Sequence, residues 1–188
     1  MTQPVLTVLR ALDFAAKHHA GQRRKGARAE PYLNHLAEVA RLAGEATGGD
    51  DPELVAAALL HDVVEDQEVT LAEVEAAFGA DVAGLVAEAT DDKSLPKAER
   101  KRLQVAYALG RSARAKVLKL ADKISNLRSL AADPPADWDR DRRLAYVDWA
   151  EAVASGLAGI APALDGEFAR AAAAARDSLA GTGCSLAH

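Results

Sequence analysis

An apolar run, Ala56-Ala57-Ala58-Leu59-Leu60, leads directly into His61-Asp62, and Val63-Val64 then continues into Glu65-Asp66. A run of this kind seeks an interior, and a charge carried into an interior without a partner is expensive. A divalent cation removes that cost. Imidazole nitrogen and carboxylate oxygen suit Mn²⁺, Fe²⁺ or Zn²⁺, and the lack of cysteine ligands disfavours a tetrahedral structural zinc site. The chain must therefore fold so that other elements bring further ligands to this helix end.

Two segments offer them. His35 follows Pro31-Tyr32-Leu33-Asn34 near the start of a helix, and Asp122 closes the apolar run Val117-Leu118-Lys119-Leu120-Ala121. His35, His61, Asp62 and Asp122 supply two nitrogens and two carboxylates, which leaves positions open for water or phosphate, as a hydrolytic metal requires. A lone histidine in an apolar helix is more often a hydrogen-bonded core residue than a ligand. The repeated context, apolar runs closed by His-Asp and by Asp, favours ligation. His18 and His19 lack that setting and read as surface or packing residues.

Glu65 and Asp66 lie four residues after His61 and Asp62, so a continuous helix stacks them one turn further along the same face. There they are placed to orient or deprotonate a water held by the cation. Asn126, four after Asp122, falls beside the same site by the same spacing.

Elsewhere the apolar spacing is helical, helix formers dominate, and no alternating run of β-branched residues is present. Nine helices are expected: over 5–20, from Tyr32 to before Gly48-Gly49, from Asp51-Pro52 through Val64, over 70–78, 81–89, 96–109, 113–130, 139–157 and 162–179. Asp51 before Pro52 reads as an N-cap with proline at the first helical position, and Thr70 with Glu73 as a capping box. The alanine-rich 171–175 reads as part of a C-terminal helix packed on a bundle. The expected fold class is all-α, one helical bundle over 1–180 followed by a frayed tail over 181–188.

Three limits on function follow. With one cysteine, Cys184, no internal disulfide forms, and no signal peptide or membrane-length apolar stretch is seen, so a cytoplasmic protein is expected. The net charge of −5 argues against nucleic acid as a partner. Yet the positive charge is bunched, in Arg23-Arg24-Lys25 with Arg28, in Lys97 with Arg100-Lys101-Arg102, and in Arg140, Arg142 and Arg143. Solvated helix surface is the plain reading of any one bunch; convergence on one pocket would suit a small polyphosphate.

These residues resemble the hydrolase domain of the RelA/SpoT family, most closely its small, metazoan-type SpoT homologues. The resemblance runs from about Ala11 to Leu157. It rests on Arg23-Arg24-Lys25, Pro31-Tyr32-Leu33-Asn34-His35, the run from Ala57 to Asp66, Thr90-Asp91-Asp92-Lys93-Ser94-Leu95-Pro96-Lys97, and Lys119-Leu120-Ala121-Asp122-Lys123 with Asn126-Leu127-Arg128. It implies an HD domain holding Mn²⁺ through His35, His61, Asp62 and Asp122, with Glu65 and Asp66 activating the attacking water. It also implies Arg24 and Lys25 against the nucleotide, Asn126 at the ribose, and Lys97, Arg142 and Tyr146 at the far phosphate end.

The implied activity is that of a (p)ppGpp 3′-pyrophosphohydrolase, converting ppGpp or pppGpp to GDP or GTP plus pyrophosphate, with no synthetase activity. Gln67 departs from the threonine usual after the acidic pair, which suggests a tuned site. The alternatives are removal of the 2′-phosphate of NADPH, hydrolysis of adenosine alarmones, and a nucleotide-binding regulatory module without catalysis. Oligomeric state is left open.

Overall fold

The most buried element of the computed structural model is its third helix. The structure describes residues 3–180; the expected tail, with Cys184 and His188, lies outside the described residues. Helix α3 (Pro52–Leu60) buries Leu54, Ala56, Ala57, Ala58, Leu59 and Leu60, so nearly all its faces are covered. Helices α1 (Pro4–His18), α2 (Tyr32–Ala46) and α6 (Ala80–Ala89) surround it. Its start is fixed twice: Asp51 accepts from the Leu54 N–H at 3.0 Å, and Arg114 grips the same carboxylate with two hydrogen bonds of 2.7 Å.

The second organising element is α8 (Ala113–Ala132), which buries Leu118, Leu120, Ile124 and Leu127 and packs on α2, α9 (Arg140–Leu157) and α10 (Pro162–Ala180). Helix α10 contributes Ala171, Ala172 and Ala175 to the core, so the alanine run is a packing face, as expected. Helix α7 (Lys97–Ala108) lies on α9 so closely that a Cβ at Gly156 would stand 2.7 Å from the Ala108 Cβ. One connected hydrophobic cluster runs through these layers. Among the described residues the only β pairing is two isolated bridges, Arg23 with Pro31 and Gly26 with Pro135. The fold is all-α, and no helix among the described residues is long and apolar enough to cross a membrane.

Expected and observed helix ends agree closely, with one correction. The third helix does not run on to Val64: it stops at Leu60, and a separate four-residue helix, α4 (Val63–Asp66), follows, giving ten helices among the described residues in place of nine. The cause is local. His61 Nδ1 lies 2.8 Å from the Ala58 carbonyl oxygen, the acceptor that a continuing helix would offer to the Asp62 N–H. The capping box of α5 (Leu71–Phe78) forms as read, with Thr70 and Glu73 bonding each other's backbone at 2.8 and 3.2 Å.

Candidate metal centre and cleft

The break after Leu60 turns His61 and Asp62 inward to meet His35 from the first turn of α2 and Asp122 from the middle of α8. One donor atom from each of His35, His61 and Asp62 lies within 4.8 Å of the other two. His61 Nε2 is 3.1 Å from Asp62 Oδ2, and His35 Nε2 is 3.7 Å from the same oxygen. Asp122 Oδ1 stands 3.5 Å from His35 Nε2 and 3.8 Å from His61 Nε2. None of these contacts has hydrogen-bond geometry, so both Nε2 atoms are buried with no hydrogen-bond partner among the described residues.

The proton positions follow from the acceptors behind the rings. The Ala58 carbonyl only accepts, so the His61 Nδ1 carries the proton given to it. Behind His35, the Ser125 hydroxyl gives its one proton to Glu38 Oε2 at 2.7 Å and must accept from His35 Nδ1 at 2.9 Å. Glu38 is ionised: burial raises its carboxyl, but Ser125 and Arg128 outweigh that and hold it below the usual range. Both Nε2 atoms are therefore the ones turned to the two aspartates. Burial opposes charge on His61, but Asp62 and Asp122 outweigh it and raise the imidazole pKa to about 9, whereas burial lowers that of His35; a bound cation would displace the His61 Nε2 proton. Two buried Nε2 atoms without hydrogen-bond partners, facing two carboxylates, are the donor set of a divalent cation, and the residues fit one.

The carboxylates are ionised as well. Burial opposes ionisation of Asp62, yet the His61 imidazolium beside it holds its carboxyl far below the ordinary range. Asp122 is also buried and is held low by Lys123, whose Nζ donates to Oδ2 at 2.9 Å. Lys123 is itself buried, with its ammonium 4.7 Å from the centre of the Trp149 ring. Tyr32 donates to Asp62 Oδ2 at 2.5 Å, and burial, with Asp62 beside it, keeps that hydroxyl protonated.

Glu65 and Asp66 do not stack on His61 and Asp62 along one continuous helix, because the axis breaks between them. The Asp66 N–H still bonds the Asp62 carbonyl at 2.8 Å, so the acidic pair remains on the wall of the same cleft. Glu65 accepts from the Asp91 N–H and from Arg100, each at 3.3 Å. Burial raises its carboxyl, and Asp62 and Asp91 add to that, which makes it a stronger base than an ordinary glutamate. Asp66 accepts from Gln22 at 2.9 Å and from Lys93 at 2.7 Å.

The cleft has a volume of about 390 Å³, in the range of small-ligand sites. Arg24, Lys25, Lys97, Asn126, Arg142 and Tyr146 all line it, as do His61, Asp62, Glu65, Asp66 and Asp122; His35 sits behind the wall. Asn126 is fully engaged, donating to Asp122 Oδ1 at 2.6 Å and accepting from Arg24 at 2.8 Å.

The three basic bunches converge only in part. Arg28 pairs with Glu30 and Asp133, Arg102 with Glu99, and Arg143 bonds the Trp138 carbonyl, and none of these three arginines lines the cleft. Lys25, Lys97 and Lys101 form no ion pair among the described residues. Burial disfavours the Lys97 ammonium, and Arg142, Lys25 and Arg100 add to the effect. That mutual repulsion is what a polyanion would relieve.

Reading the sequence missed several lining residues. Gln22, Arg100, Lys101, Trp138 and Trp149 line the cleft, the two tryptophan rings flanking Tyr146 at 5.5 and 5.3 Å between centroids, and Lys93 reaches Asp66. Lys101 sits 4.5 Å over Trp149. Arg100 and Lys101 were signalled only as members of a basic bunch, and Lys93 only by the block from Thr90 to Lys97. The loop carrying Arg24 and Lys25 is latched to the α8–α9 turn by Asp133, which accepts from the Ala27 and Arg28 N–H groups at 3.0 Å each. A Cβ at Gly26 would overlap Asp133 at 2.0 Å, so the latch requires glycine there.

Residues 11–148 match the HD domain family. The chain is 46% identical over 168 residues to guanosine-3′,5′-bis(diphosphate) 3′-pyrophosphohydrolase MESH1 of Xenopus tropicalis, covering 89% of this chain and 94% of that one. The human MESH1 is 51% identical over 152 residues, 81% of this chain and 85% of the relative. A solved structure, described as a metazoan ortholog of SpoT that hydrolyzes ppGpp and plays a role in starvation responses, superposes with a TM-score of 0.86 at 43% identity. It covers 91% of this chain and 96% of the other.

Proposed function

This chain belongs to the HD domain family, and from that premise we propose that it is a guanosine-3′,5′-bis(diphosphate) 3′-pyrophosphohydrolase. It acts on ppGpp and pppGpp, releasing pyrophosphate and leaving GDP or GTP, without synthetase activity. One observation carries the reading: a carboxylate–imidazole floor and a set of unpaired cations share a single cleft.

His35, His61, Asp62 and Asp122 are the residues that would hold the cation, and Mn²⁺ suits their nitrogen and oxygen donors. Such a cation supplies Lewis acidity, lowering the pKa of water and polarising a phosphoryl oxygen. Glu65 takes the proton of the attacking water, its basicity raised by burial and by Asp62. Asp66 aims the same water. The new bond joins water oxygen to the phosphorus beside the 3′-oxygen; the bond from that phosphorus to the 3′-oxygen breaks, and the 3′-oxygen leaves as a hydroxyl, its proton balanced by the one that Glu65 took from water.

Arg24 and Lys25 meet the nucleotide and Asn126 the ribose, once Arg24 releases the Asn126 amide that it holds. Lys97, Arg142 and Tyr146 hold the far phosphates through charge-assisted contacts. The test offers ppGpp and NADPH in parallel to purified protein with Mn²⁺, with a chelator control. Chelator-sensitive release of pyrophosphate and GDP is the expected result. Faster dephosphorylation of NADPH than of ppGpp would transfer the reading to that substrate, and metal-dependent turnover of neither would overturn it.

A further inference from the structure

Gln67, the residue that departs from the family pattern, does not face solvent at the end of α4. Its Nε2 donates to Gln22 Oε1 at 2.6 Å, across 45 residues of chain, and lies 3.3 Å from His19 Nδ1. Gln22 Nε2 in turn donates to Asp66 Oδ2 at 2.9 Å, and Gln22 Oε1 lies 2.6 Å from His19 Nδ1.

The direction of each bond is forced. A carboxylate only accepts, so Gln22 must turn its NH₂ to Asp66 and its carbonyl oxygen away. That oxygen can only accept, so both Gln67 Nε2 and His19 Nδ1 must donate to it. Gln22 is thus held in one amide orientation by two donors. His19, 2% exposed, is fixed at the end of α1 and stacks on Tyr32 at 5.3 Å, and Tyr32 donates to Asp62 Oδ2. The packing reading of His19 is therefore incomplete: it touches Gln22, which reaches Asp66, and Tyr32, which reaches Asp62.

Among the described residues the Asp66 carboxylate has one other partner, Lys93, whose side chain is 48% exposed. An exposed ion pair fixes geometry weakly. We infer that Gln22, locked by Gln67 and His19, is a positioning residue that sets the orientation of the Asp66 carboxylate in the cleft. Without it Asp66 swings toward Lys93 and the surface. The inference rests on the proposed role of Asp66 in activating water, and it adds an assignment for Gln22, Gln67 and His19.

Gln22→Met keeps the length of the side chain and removes its hydrogen bonds. Its kcat on ppGpp with Mn²⁺ should fall about tenfold or more, since a misaimed group costs rate rather than binding. KM and the Mn²⁺ affinity, measured by chelator competition, should stay within about twofold, because the ligands and the rim cations are untouched. Gln67→Met should lower kcat about threefold, because it frees Gln22 without removing it. The double variant should be no slower than Gln22→Met, since both changes act through one bond. Should Gln22→Met fail to fold, Gln67→Met alone carries the test.

Unchanged kcat in folded single variants, a change in KM or metal affinity alone, or additive losses in the double variant would overturn the inference. Wild-type protein run beside them separates the two levels. A silent wild type overturns the proposed function and this inference together, whereas an active wild type with indifferent variants overturns the inference alone.

Discussion

Each charged group on the floor of the cleft has an internal counterpart, whereas several cations on its rim have none. Asp122 is bonded by Asn126 and Lys123, Asp62 by Tyr32, and His35 by a Ser125–Glu38–Arg128 chain that ends in a salt bridge of 2.8 Å. These groups sit on or beside buried helices and are pre-organised. Lys25 and Lys97 instead stand exposed on a loop and at a helix start, near like charges and without carboxylate partners among the described residues. A region that satisfies itself is built to hold a small, fixed ion. A region left in mutual repulsion is completed by a large anion that comes and goes. The floor should therefore govern metal and turnover, and the rim should govern affinity for substrate.

The largest effect that separates the regions is loss of a floor carboxylate. Asp62→Ala and Asp122→Ala should lose metal and activity together, with kcat down by at least about a thousandfold, since the activated water depends on the cation. Asp122→Ala also strands the buried Lys123, a cost of roughly 3–5 kcal/mol that a lowered Tm would report. Either variant retaining both Mn²⁺ and turnover would break the comparison.

Next comes Glu65→Ala, which should keep Mn²⁺ affinity and lose about 10²–10⁴-fold in kcat, the usual worth of a general base. A near-wild-type rate would remove Glu65 as the group that takes the proton. Ser125→Ala should then weaken Mn²⁺ binding by about tenfold, because the His35 ring loses the acceptor that fixes its tautomer. Chelator competition reads that directly, and unchanged affinity would show that packing alone holds the ring.

The smallest effect lies on the rim. Lys97→Met should raise KM about tenfold, equivalent to about 1.4 kcal/mol of lost binding, with kcat within twofold. The change in KM should shrink as salt rises, and Tm should hold or increase as like-charge repulsion is relieved. A loss of stability there would mean that Lys97 serves the fold.

Much of the floor was legible because metal ligands interrupt apolar runs, and such interruptions stand out in one dimension. His61-Asp62 and Asp122, the residues proposed to hold the cation, interrupt their runs in that way. Asn126 was legible through the four-residue spacing, which holds on the continuous α8. The same spacing misplaced Glu65 and Asp66, since no glycine or proline marks the break after Leu60; the His61 ring makes it by taking the Ala58 carbonyl. Ser125 and Glu38 were hidden because polar residues at helical intervals look like a wetted face until another helix covers them. Gln22 was hidden by distance, standing 44 residues from the carboxylate it meets. Lys101 was lost in a run of charges in which one turn of helix decides which face water and which face the cleft.

The central claim is that a water activated on this floor attacks the phosphorus beside the 3′-oxygen and displaces GDP. It is tested most directly by turning over ppGpp with Mn²⁺ in ¹⁸O-labelled water and weighing both products. The account predicts one labelled oxygen in the released pyrophosphate and none in GDP. Label in GDP, or stepwise release of orthophosphate in place of pyrophosphate, would contradict it.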